Sequence, residues 1–438
     1  MNSGSTPPST GSVPETDAAR DPVMDLVRVL CVVLVIVAHL LMIGAVIEPG
    51  VGLVIRRPLL EQSWLAPVTW IAQIMPLFFV VGGFAGIGAW TRLETSGGTA
   101  SEFIRARLLR LARPAVPLFA FFTVGIFVLY LTGVAPSSVA AMAAGVASPL
   151  WFLAAYTFAQ AYLPGMATLH KNRPLGTLLT LAGCAVAIDA LRFASGIEVL
   201  GLLNMIFVWL FVQQLGFWVA DGWFARRSRW TILGIGAGSY LLLFLLVTSG
   251  YPENMLDNLN PPTVAILSLA IGQTCLLVLA HPALALLMRS RILRRIVGIV
   301  GGHLMTLYLW HLPVLALVIG LLLLTPLPTP QPGSVAWWWT RPLILACAAL
   351  ALGGLARLLG RFEQPMPSHD EDGRLIKTSN WSVGLSASLM VIPPFTVMLF
   401  GLDFAIAVVS TALLAVAVAV QKPIAAPEPD TGASAIAS

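Results

Sequence analysis

The sequence predicts an all-α polytopic integral membrane protein, a helical bundle of about ten core transmembrane helices with a further C-terminal pair. Composition is the first of three observations that predict it. Of the 438 residues, 58% are hydrophobic and only 10% are charged, and the mean hydropathy is +0.87. A soluble globular protein carries about 25% charged residues. This composition therefore excludes a water-soluble globular chain, and also the fibrous, disulfide-scaffold and fully disordered classes.

Long apolar stretches are the second observation. A helix needs about 20 mostly apolar residues to cross the hydrocarbon core of a bilayer. Ten stretches meet this requirement, and they lie near residues 27–49, 67–90, 115–133, 149–166, 176–193, 199–220, 230–249, 263–286, 302–325 and 341–359. A further apolar block at 382–420, interrupted at Gly401 to Asp403, predicts an additional transmembrane hairpin.

The polar ends and connections complete the expected organisation. Residues 1–24 are rich in Ser, Thr, Pro and Gly, which is typical of a disordered tail, and they lack the basic n-region of a secretory signal. The main transmembrane domain is expected at 25–365 and a cytoplasmic linker at 366–381. The additional hairpin at 382–420 is followed by a second disordered tail at 421–438.

The distribution of Lys and Arg is the third observation. Basic residues occur in the second, fourth, sixth, eighth and tenth connections, and the third, seventh and ninth carry none. Because cytoplasmic loops carry an excess of Lys and Arg, both termini are expected in the cytoplasm. Arg56 and Arg57, in the first outer connection, are the exception. Since the net charge of +5 follows from this distribution, it does not indicate binding to nucleic acid.

Asp25, Arg28 and His39 form the first polar pattern within a span. Arg28 and His39 are eleven residues apart, which returns to nearly the same helix face after about 16 Å. Asp25 lies one turn before Arg28, where the two side chains can pair. An ionisable group at membrane depth is costly and usually faces a cavity or a partner, and His exchanges protons near neutral pH. The alternative is a helix-packing histidine with an interfacial arginine.

The next two segments add flexibility and charge. The second span contains Pro76, Gly82 and Gly83, which permit a kink and a close approach by a helix or a ligand. In the basic run that follows, Arg107 and Arg110 are three residues apart and share a helix face, which suits phosphate groups. Each segment also has a simpler explanation, since the first fits a tightly packed helix and the second is what topology demands.

Taken in order, these segments resemble the membrane acyltransferase-3 family. Its members typically show D-x-x-R with a later histidine, a P-x-F-F segment ending in Ser-Gly, a basic run, a W-F pair, Y-x-x-H and E-x-P. The corresponding residues here are Asp25, Arg28 and His39, Pro76 to Gly83, Phe103 to Arg110, Trp151 and Phe152, Tyr308 and His311, and Glu363 and Pro365. Gly82, Arg113 and His303 depart from the usual pattern.

The resemblance implies transfer of an acyl group, commonly acetyl, from cytoplasmic acyl-CoA to a hydroxyl group at the outer face. The acceptor would be a carbohydrate or glycolipid of the cell envelope. The excess of Arg over Lys and the abundance of Ala point to a high-GC bacterium, and hence to the bacterial inner membrane. The expected partners are therefore the lipid bilayer, acyl-CoA (acetyl-CoA by family default) and the envelope acceptor.

The resemblance also implies residue roles. His39 would act as general base or carry the acyl group transiently, with Arg28 and Asp25 in the same catalytic group. The donor acyl-CoA would be bound by Arg107, Arg110, Phe79 and Gly83, and the acceptor would contact Trp151, Tyr308 and His311.

The loop from Tyr251 to Pro262 is the most polar outer connection, and it predicts an acceptor contact through Asn258. An ordinary capped turn before the next span is the alternative. Asp189 and Arg192, three residues apart, predict a local ion pair. No His, Cys, Asp or Glu cluster has metal spacing, so no metal is expected, and the four cysteines lie in apolar runs.

A transporter or flippase of an envelope lipid or glycan is the alternative function. Ten to twelve spans and intramembrane polar groups fit such a protein equally well. Many transporters are built from internal repeats, and the sequence contains none that is convincing. Dependence on acyl-CoA is the observation that separates the two functions.

Overall fold

The structure is a computed structural model, and it describes residues 21–48, 50, 52–364 and 379–421. The tails expected at 1–24 and 421–438 and the linker expected at 366–381 lie almost entirely outside these residues.

Fifteen α-helices make up most of the described chain. They are α1 (Pro22–Met42), α2 (Leu65–Ala72), α3 (Met75–Thr95), α4 (Ala100–Leu131), α5 (Pro136–Ala147), α6 (Leu150–Asn172), α7 (Pro174–Ser195), α8 (Asn204–Ala220), α9 (Arg229–Thr248), α10 (Val264–Leu287), α11 (Arg291–Gly301), α12 (Leu304–Leu323), α13 (Val335–Leu359), α14 (Asn380–Phe400) and α15 (Phe404–Ala419). Short 3-10 turns at Glu198–Leu203 and Gly360–Phe362 complete the helical structure.

The all-α polytopic fold is confirmed. In the described residues, eleven helical segments are long and apolar enough to cross a membrane, and they correspond to the ten expected spans and to α14. The helix α15 is apolar but shorter, with 16 residues. The additional hairpin, α14 and α15, packs against α4 and α6 and so belongs to the same bundle.

The first span is shorter at its C-terminal side than the hydropathy predicts. The helix α1 begins at Pro22, where the Asp21 side chain accepts a hydrogen bond from Val23 N (2.8 Å), and it ends at Met42 instead of residue 49. The chain then forms an antiparallel hairpin of β1 (Gly44–Glu48) and β2 (Gly52–Arg56). Both strands contain the apolar β-branched residues Val and Ile, so hydropathy alone continues the span into them.

The hairpin also accounts for Arg56, one of the two arginines that break the positive-inside pattern in the first outer connection. Arg56 Nη2 lies 3.0 Å from Glu48 Oε1, and the two residues are the last of β2 and of β1. The charge of Arg56 is therefore matched within the hairpin. Arg57 follows directly after β2 and has no such partner among the described residues.

The third span is longer than expected because the basic run belongs to it. The helix α4 begins at Ala100 with a capping box formed by Thr99 and Glu102, and it continues without a break through Pro114 and Pro117. Its 32 residues carry the arginines in the first half and the apolar span in the second. One rigid element therefore connects the arginines to the middle of the bundle.

The expected ion pair between Asp189 and Arg192 is replaced by other contacts. Arg192 donates to the Glu198 carboxylate, with Nε at 2.8 Å. Asp189 accepts from Asn204 Nδ2 (2.8 Å) and from the Tyr251 hydroxyl (3.0 Å). Burial and the nearby Asp189 carboxylate raise the pKa of Tyr251. These contacts tie α7, α8 and the loop before α10 together.

Candidate active site

Two helices from distant parts of the sequence bring two histidines into contact. His39 lies near the end of α1, and His311 lies in the first half of α12, 272 residues later. The His311 Nε2 atom is 3.3 Å from His39 Nδ1, and the ring centroids are 4.9 Å apart. His311 is buried, and His39 is partly exposed and lines a cavity. The structure thus joins the expected catalytic histidine to the Y-x-x-H segment.

The backbone determines which ring nitrogens carry protons. His39 Nδ1 lies 2.9 Å from the carbonyl oxygen of Val35, and His311 Nδ1 is hydrogen-bonded to the carbonyl oxygen of Tyr308. Because a carbonyl oxygen only accepts, these contacts fit the neutral tautomer in which each Nδ1 carries the proton and each Nε2 has a lone pair. His311 Nε2 therefore faces the Nδ1–H of His39. The Nε2 atom of His39 remains available to take a proton from a third group.

Charged residues distinguish the two ends of the bundle. The basic end carries Arg28, Arg107 and Arg110, and the hairpin end carries β1 and β2. The two ends are opposite because Arg28 lies near the start of α1 and the β-hairpin follows the end of α1. His39 lies nearer the hairpin end, three residues before the end of α1.

A cavity of about 70 Å³ lies at the basic end. It is lined on its polar side by Arg28, Arg107, Arg110 and Glu363, and on its apolar side mainly by Phe78, Phe152, Tyr156 and Tyr308. Along α1 it extends from Arg28 to Val32, which is about 10 Å of helical rise before His39. The Tyr308 and His311 ring centroids are 5.7 Å apart. This cavity, called the basic cavity below, therefore ends one aromatic ring short of the histidines.

The three arginines of the basic cavity differ in exposure. Arg28 Nη2 donates to Asp25 Oδ1 at 3.0 Å, so the expected pair is present. The Arg107 guanidinium is partly buried and lies 5.0 Å over the ring of Phe103. Arg110 is exposed and also lines an adjoining cavity of about 410 Å³. Three guanidinium groups around one space suit a ligand with several phosphates.

Other arginines of the same run serve the packing of the chain. Arg105 is buried and donates through Nε (3.1 Å) and Nη2 (2.8 Å) to the carbonyl oxygen of Gln421, after α15. Arg113 donates to the carbonyl oxygens of Gln364 (2.6 Å) and Arg361 (3.1 Å), after α13. Only Arg107 and Arg110 of this run line the basic cavity.

Phe79 and Gly83, expected at the donor, lie instead between α3 and α8. The Phe79 ring stacks on Trp209 with centroids 4.3 Å apart and is 1% exposed. A side chain at Gly83 would collide with the backbone carbonyl of Gln213. The neighbouring Phe78 lines the basic cavity in their place. Their donor contact stays a prediction, and the observed contacts account for both residues through packing.

Trp151 and Tyr308, expected at the acceptor, occupy different surroundings. Trp151 packs on the partly parallel ring of Trp209 (5.7 Å) and lines neither cavity beside the histidines, whereas Phe152 lines the basic cavity. The Tyr308 hydroxyl donates to the carbonyl oxygen of Pro149 at 2.6 Å. Tyr308 therefore ties α12 to the start of α6, and the acceptor roles of both residues stay predictions.

Asn258 is buried within its loop and is remote in sequence from both histidine helices. Its Nδ2 donates to the carbonyl oxygens of Pro252 (2.8 Å) and Asn254 (3.3 Å), and its Oδ1 accepts from Thr263 Oγ1 (2.6 Å). It lines none of the cavities described here. Its acceptor contact stays a prediction, and these hydrogen bonds favour the alternative of a capped turn.

Two further side chains line the basic cavity, Gln160, for which the sequence gives no site role, and Glu363, which matches the E-x-P motif. Gln160 is 2% exposed, lines the cavity, and its Nε2 has no hydrogen-bond partner among the described residues. Phe152, Tyr156 and Gln160 recur at a spacing of four, so one face of α6 forms this wall. Glu363 accepts a hydrogen bond from Thr306 N at the start of α12. The spacing on α6 was the sequence signal for Gln160, and Pro365 lies outside the described residues.

A second cavity, of about 330 Å³, lies at the hairpin end. His39 forms part of its wall, and the rest comes from the end of α1, the β-hairpin, α5 and the second half of α12. Its lining is apolar apart from His39, Arg57 and Ser148. The histidine pair thus lies between this cavity, called the hairpin cavity below, and the basic cavity.

Two other histidines, His170 and His281, form contacts at the basic end, and His369 lies outside the described residues. His170 lies between Gln214 (2.7 Å) and Asp221 (2.9 Å), and His281 Nε2 is 2.8 Å from Asp21. Within the described part of the chain, no group of three or more His, Cys, Asp and Glu residues is placed to hold a metal ion.

Comparison with known proteins gives one finding. The family model described as "Acyltransferase domain", of acyltransferase family 3, matches residues 21–358. No curated protein and no solved structure matches the chain. The match covers α1 to α13 almost completely, and α14 and α15 lie outside it.

Proposed function

The chain belongs to acyltransferase family 3, and from this premise we propose that it transfers an acyl group, acetyl by family default, from acyl-CoA to a hydroxyl group of an envelope acceptor. The observation that carries the proposal is the position of the His39–His311 pair between two cavities. One cavity has the arginines that a nucleotide donor requires, and the other presents His39 to the opposite end of the bundle. Donor and acceptor then approach the same histidine from opposite sides.

The orientation follows from the basic residues. Since Lys and Arg are retained on the cytoplasmic side, the basic end faces the cytoplasm of a bacterial inner membrane, where acyl-CoA is available. The hairpin end then faces the outer side. In this orientation the donor and the acceptor bind on opposite sides of the bilayer, and the acyl group passes through the helical bundle.

The donor is bound by charge at one end and by one face of α6 deeper in the bundle. Arg28, Arg107 and Arg110 neutralise the phosphates of the nucleotide. The pantetheine arm runs along the Phe152–Gln160 face of α6. Displacement of the Tyr308 ring opens the remaining distance and brings the thioester to His39.

In the chemical step, His39 Nε2 removes the proton of the acceptor hydroxyl. The acceptor oxygen forms a bond to the thioester carbonyl carbon, and the carbon–sulfur bond then breaks. The departing thiolate takes the proton from the His39 imidazolium, so the products are the acyl ester and free coenzyme A. The Nδ1–H of His39 lies near two acceptors, the Val35 carbonyl oxygen (2.9 Å) and His311 Nε2 (3.3 Å), and both stabilise the transient positive charge. In the alternative route, Nε2 carries the acyl group before the acceptor receives it.

Mass spectrometry of envelope lipids and glycans tests the proposal. Three strains are compared: one that lacks the protein, one in which it is restored, and one restored with His39→Ala at equal membrane abundance. We expect an acylated species in the second strain alone. If no acylated species changes but an unmodified lipid or glycan moves between leaflets, the protein is a transporter.

Arg107→Gln is expected to raise the KM for acetyl-CoA by about tenfold or more, because a charge-assisted hydrogen bond contributes roughly 1.5–3 kcal/mol. The value of kcat should change little. Steady-state kinetics with purified protein in nanodiscs measures both constants. Arg295→Gln is the control, since Arg295 is exposed on α11 and lines none of the described cavities. Equal effects of the two substitutions would contradict a phosphate contact.

Gln160→Ala is expected to lower kcat/KM for the acyl donor by about tenfold. The reason is that the substitution removes the buried amide of Gln160 and its proposed hydrogen bond to an amide of the pantetheine arm. Acetyl-pantetheine, which lacks the nucleotide, separates this residue from Arg107. Gln160→Ala should weaken both donors, whereas Arg107→Gln should weaken acetyl-CoA alone. The control is Gln273→Ala, a buried glutamine that donates to the backbone at Gln73 (2.6 Å). An effect of Gln160→Ala on acetyl-CoA alone would rule out the pantetheine contact.

A further inference from the structure

The chemistry of the hairpin cavity indicates the class of acceptor. Its volume of about 330 Å³ is within the range of small-molecule sites, roughly 300–1,000 Å³. Its walls are mostly apolar, and they include Met42, Ile43, Leu60, Val146, Leu312 and Ile319. The Ser148 hydroxyl already donates to the carbonyl oxygen of Gly145 (3.0 Å). Walls of this kind favour an aliphatic chain, and they offer a free glycan few partners for its hydroxyl groups.

Apolar side chains of the β-hairpin are exposed beside the cavity. Leu53 and Ile55 of β2 line it and are 51% and 54% exposed, and Ile47 of β1 is 55% exposed. A hairpin with apolar side chains on its exposed surface is expected to lie against lipid. Such a surface allows a membrane-resident molecule to approach the cavity from the lipid.

Arg57 gives the cavity a single cationic group. It is exposed, lines the cavity, and makes no side-chain hydrogen bond or ion pair with the described residues. Its neighbour Arg56 differs, since it pairs with Glu48 at 3.0 Å. A lone guanidinium at the rim of an apolar cavity is suited to an anionic group such as a phosphate. A phosphate contact of this kind accounts for Arg57, the second arginine that breaks the positive-inside pattern at the outer side.

We propose that the acceptor is an anionic amphiphile of the outer leaflet. Its aliphatic chain occupies the hairpin cavity, its phosphate binds Arg57, and its hydroxyl group reaches His39 Nε2. The inference rests on the proposed acyl transfer and specifies the substrate class of the same site. The reaction remains the replacement of the thioester carbon–sulfur bond by an ester bond, with the hydroxyl proton passing through His39 to coenzyme A.

Three probes separate the parts of this acceptor. Lysophosphatidylglycerol has a chain, a phosphate and hydroxyl groups, monoacylglycerol lacks the phosphate, and glycerol phosphate lacks the chain. Binding to the full protein in nanodiscs is measured, and transfer from radiolabelled acetyl-CoA is measured in parallel. We expect binding of lysophosphatidylglycerol, about tenfold weaker binding of monoacylglycerol, and no measurable binding of glycerol phosphate. Equal binding of all three, or no binding of lysophosphatidylglycerol, would overturn the proposal.

Two substitutions locate the site. Ala316→Phe fills the cavity from α12, and Arg57→Gln removes its cation. Each should weaken lysophosphatidylglycerol binding by about tenfold and leave acetyl-CoA binding unchanged. Leu317→Phe and Arg56→Gln are the neighbouring controls, because neither residue lines the cavity. If both cavity variants bind like wild type, the amphiphile does not occupy this site.

The proposed function fails in a different way. If no acceptor of any kind receives the labelled acetyl group, the transfer reaction itself is wrong. If His39→Ala retains transfer, the reaction stands and the catalytic role of His39 is wrong. Transfer to a glycan without a lipid chain, unaffected by Ala316→Phe, would retain the acyltransferase activity and overturn only the acceptor class.

Discussion

His39→Ala is expected to reduce acyl transfer by about 10³-fold or more, because its Nε2 is the base available to the acceptor hydroxyl and general-base catalysis contributes roughly 10²–10⁴-fold. Its Nδ1–H is already hydrogen-bonded to the Val35 carbonyl oxygen and faces His311, so the reactive nitrogen is defined by the backbone. Binding of acetyl-CoA should remain close to wild type, because the arginines lie at the basic end. Single-turnover transfer and equilibrium binding, measured on the same preparation, check the two expectations.

His303→Ala is the matched control for this substitution. His303 precedes α12 and its Nδ1 also lies near the carbonyl oxygen of the residue four positions earlier, Ile299 (3.0 Å). It lines neither the basic cavity nor the hairpin cavity. We expect near-normal transfer from this variant. Comparable losses from His39→Ala and His303→Ala would indicate a general effect on the bundle and would contradict the role of His39.

The transmembrane organisation was readable from the sequence because hydropathy reports directly on residence in lipid. Element boundaries were less accessible where hydropathy and backbone structure diverge. β1 and β2 consist largely of Val, Ile and Leu, which read equally well as the end of a span. In α4, arginines lower the hydropathy although Thr99 and Glu102 start the helix at Ala100. The capping box was the stronger local signal there.

The site was predictable along each helix and much less so between helices. The Arg28 to His39 spacing placed both residues on one line of α1, and their cavities lie along it. A partner 272 residues away leaves no trace in spacing, so the direct contact of His39 with His311 was not expected. Helix rotation matters as well, since adjacent positions differ by about 100°. This difference places Phe78, and not Phe79, in the basic cavity.

His311→Leu is expected to lower kcat by about 10²-fold without a matching change in the KM for acetyl-CoA. The reason is that His311 Nε2 lies 3.3 Å from the Nδ1 of His39 and stabilises the positive charge that His39 acquires in the transition state. A buried preorganised group of this kind contributes roughly 10²–10³ in kcat. In this proposal His311 acts through His39 as a positioning residue, whereas the acceptor contact that the resemblance implies for His311 stays a prediction.

Restoration by a hydrogen-bond acceptor distinguishes this role from simple packing. His311→Gln provides a side-chain carbonyl oxygen that can accept a hydrogen bond in place of Nε2. This variant should therefore be about tenfold more active than His311→Leu. Tyr251→Phe is the packing control, because the Tyr251 hydroxyl donates to Asp189 Oδ2 (3.0 Å) and Tyr251 lines neither cavity beside the histidines. It should reduce thermal stability with little effect on kcat. If His311→Leu and His311→Gln lose activity equally, the histidine contact positions the helices alone, and the charge of His39 is stabilised elsewhere.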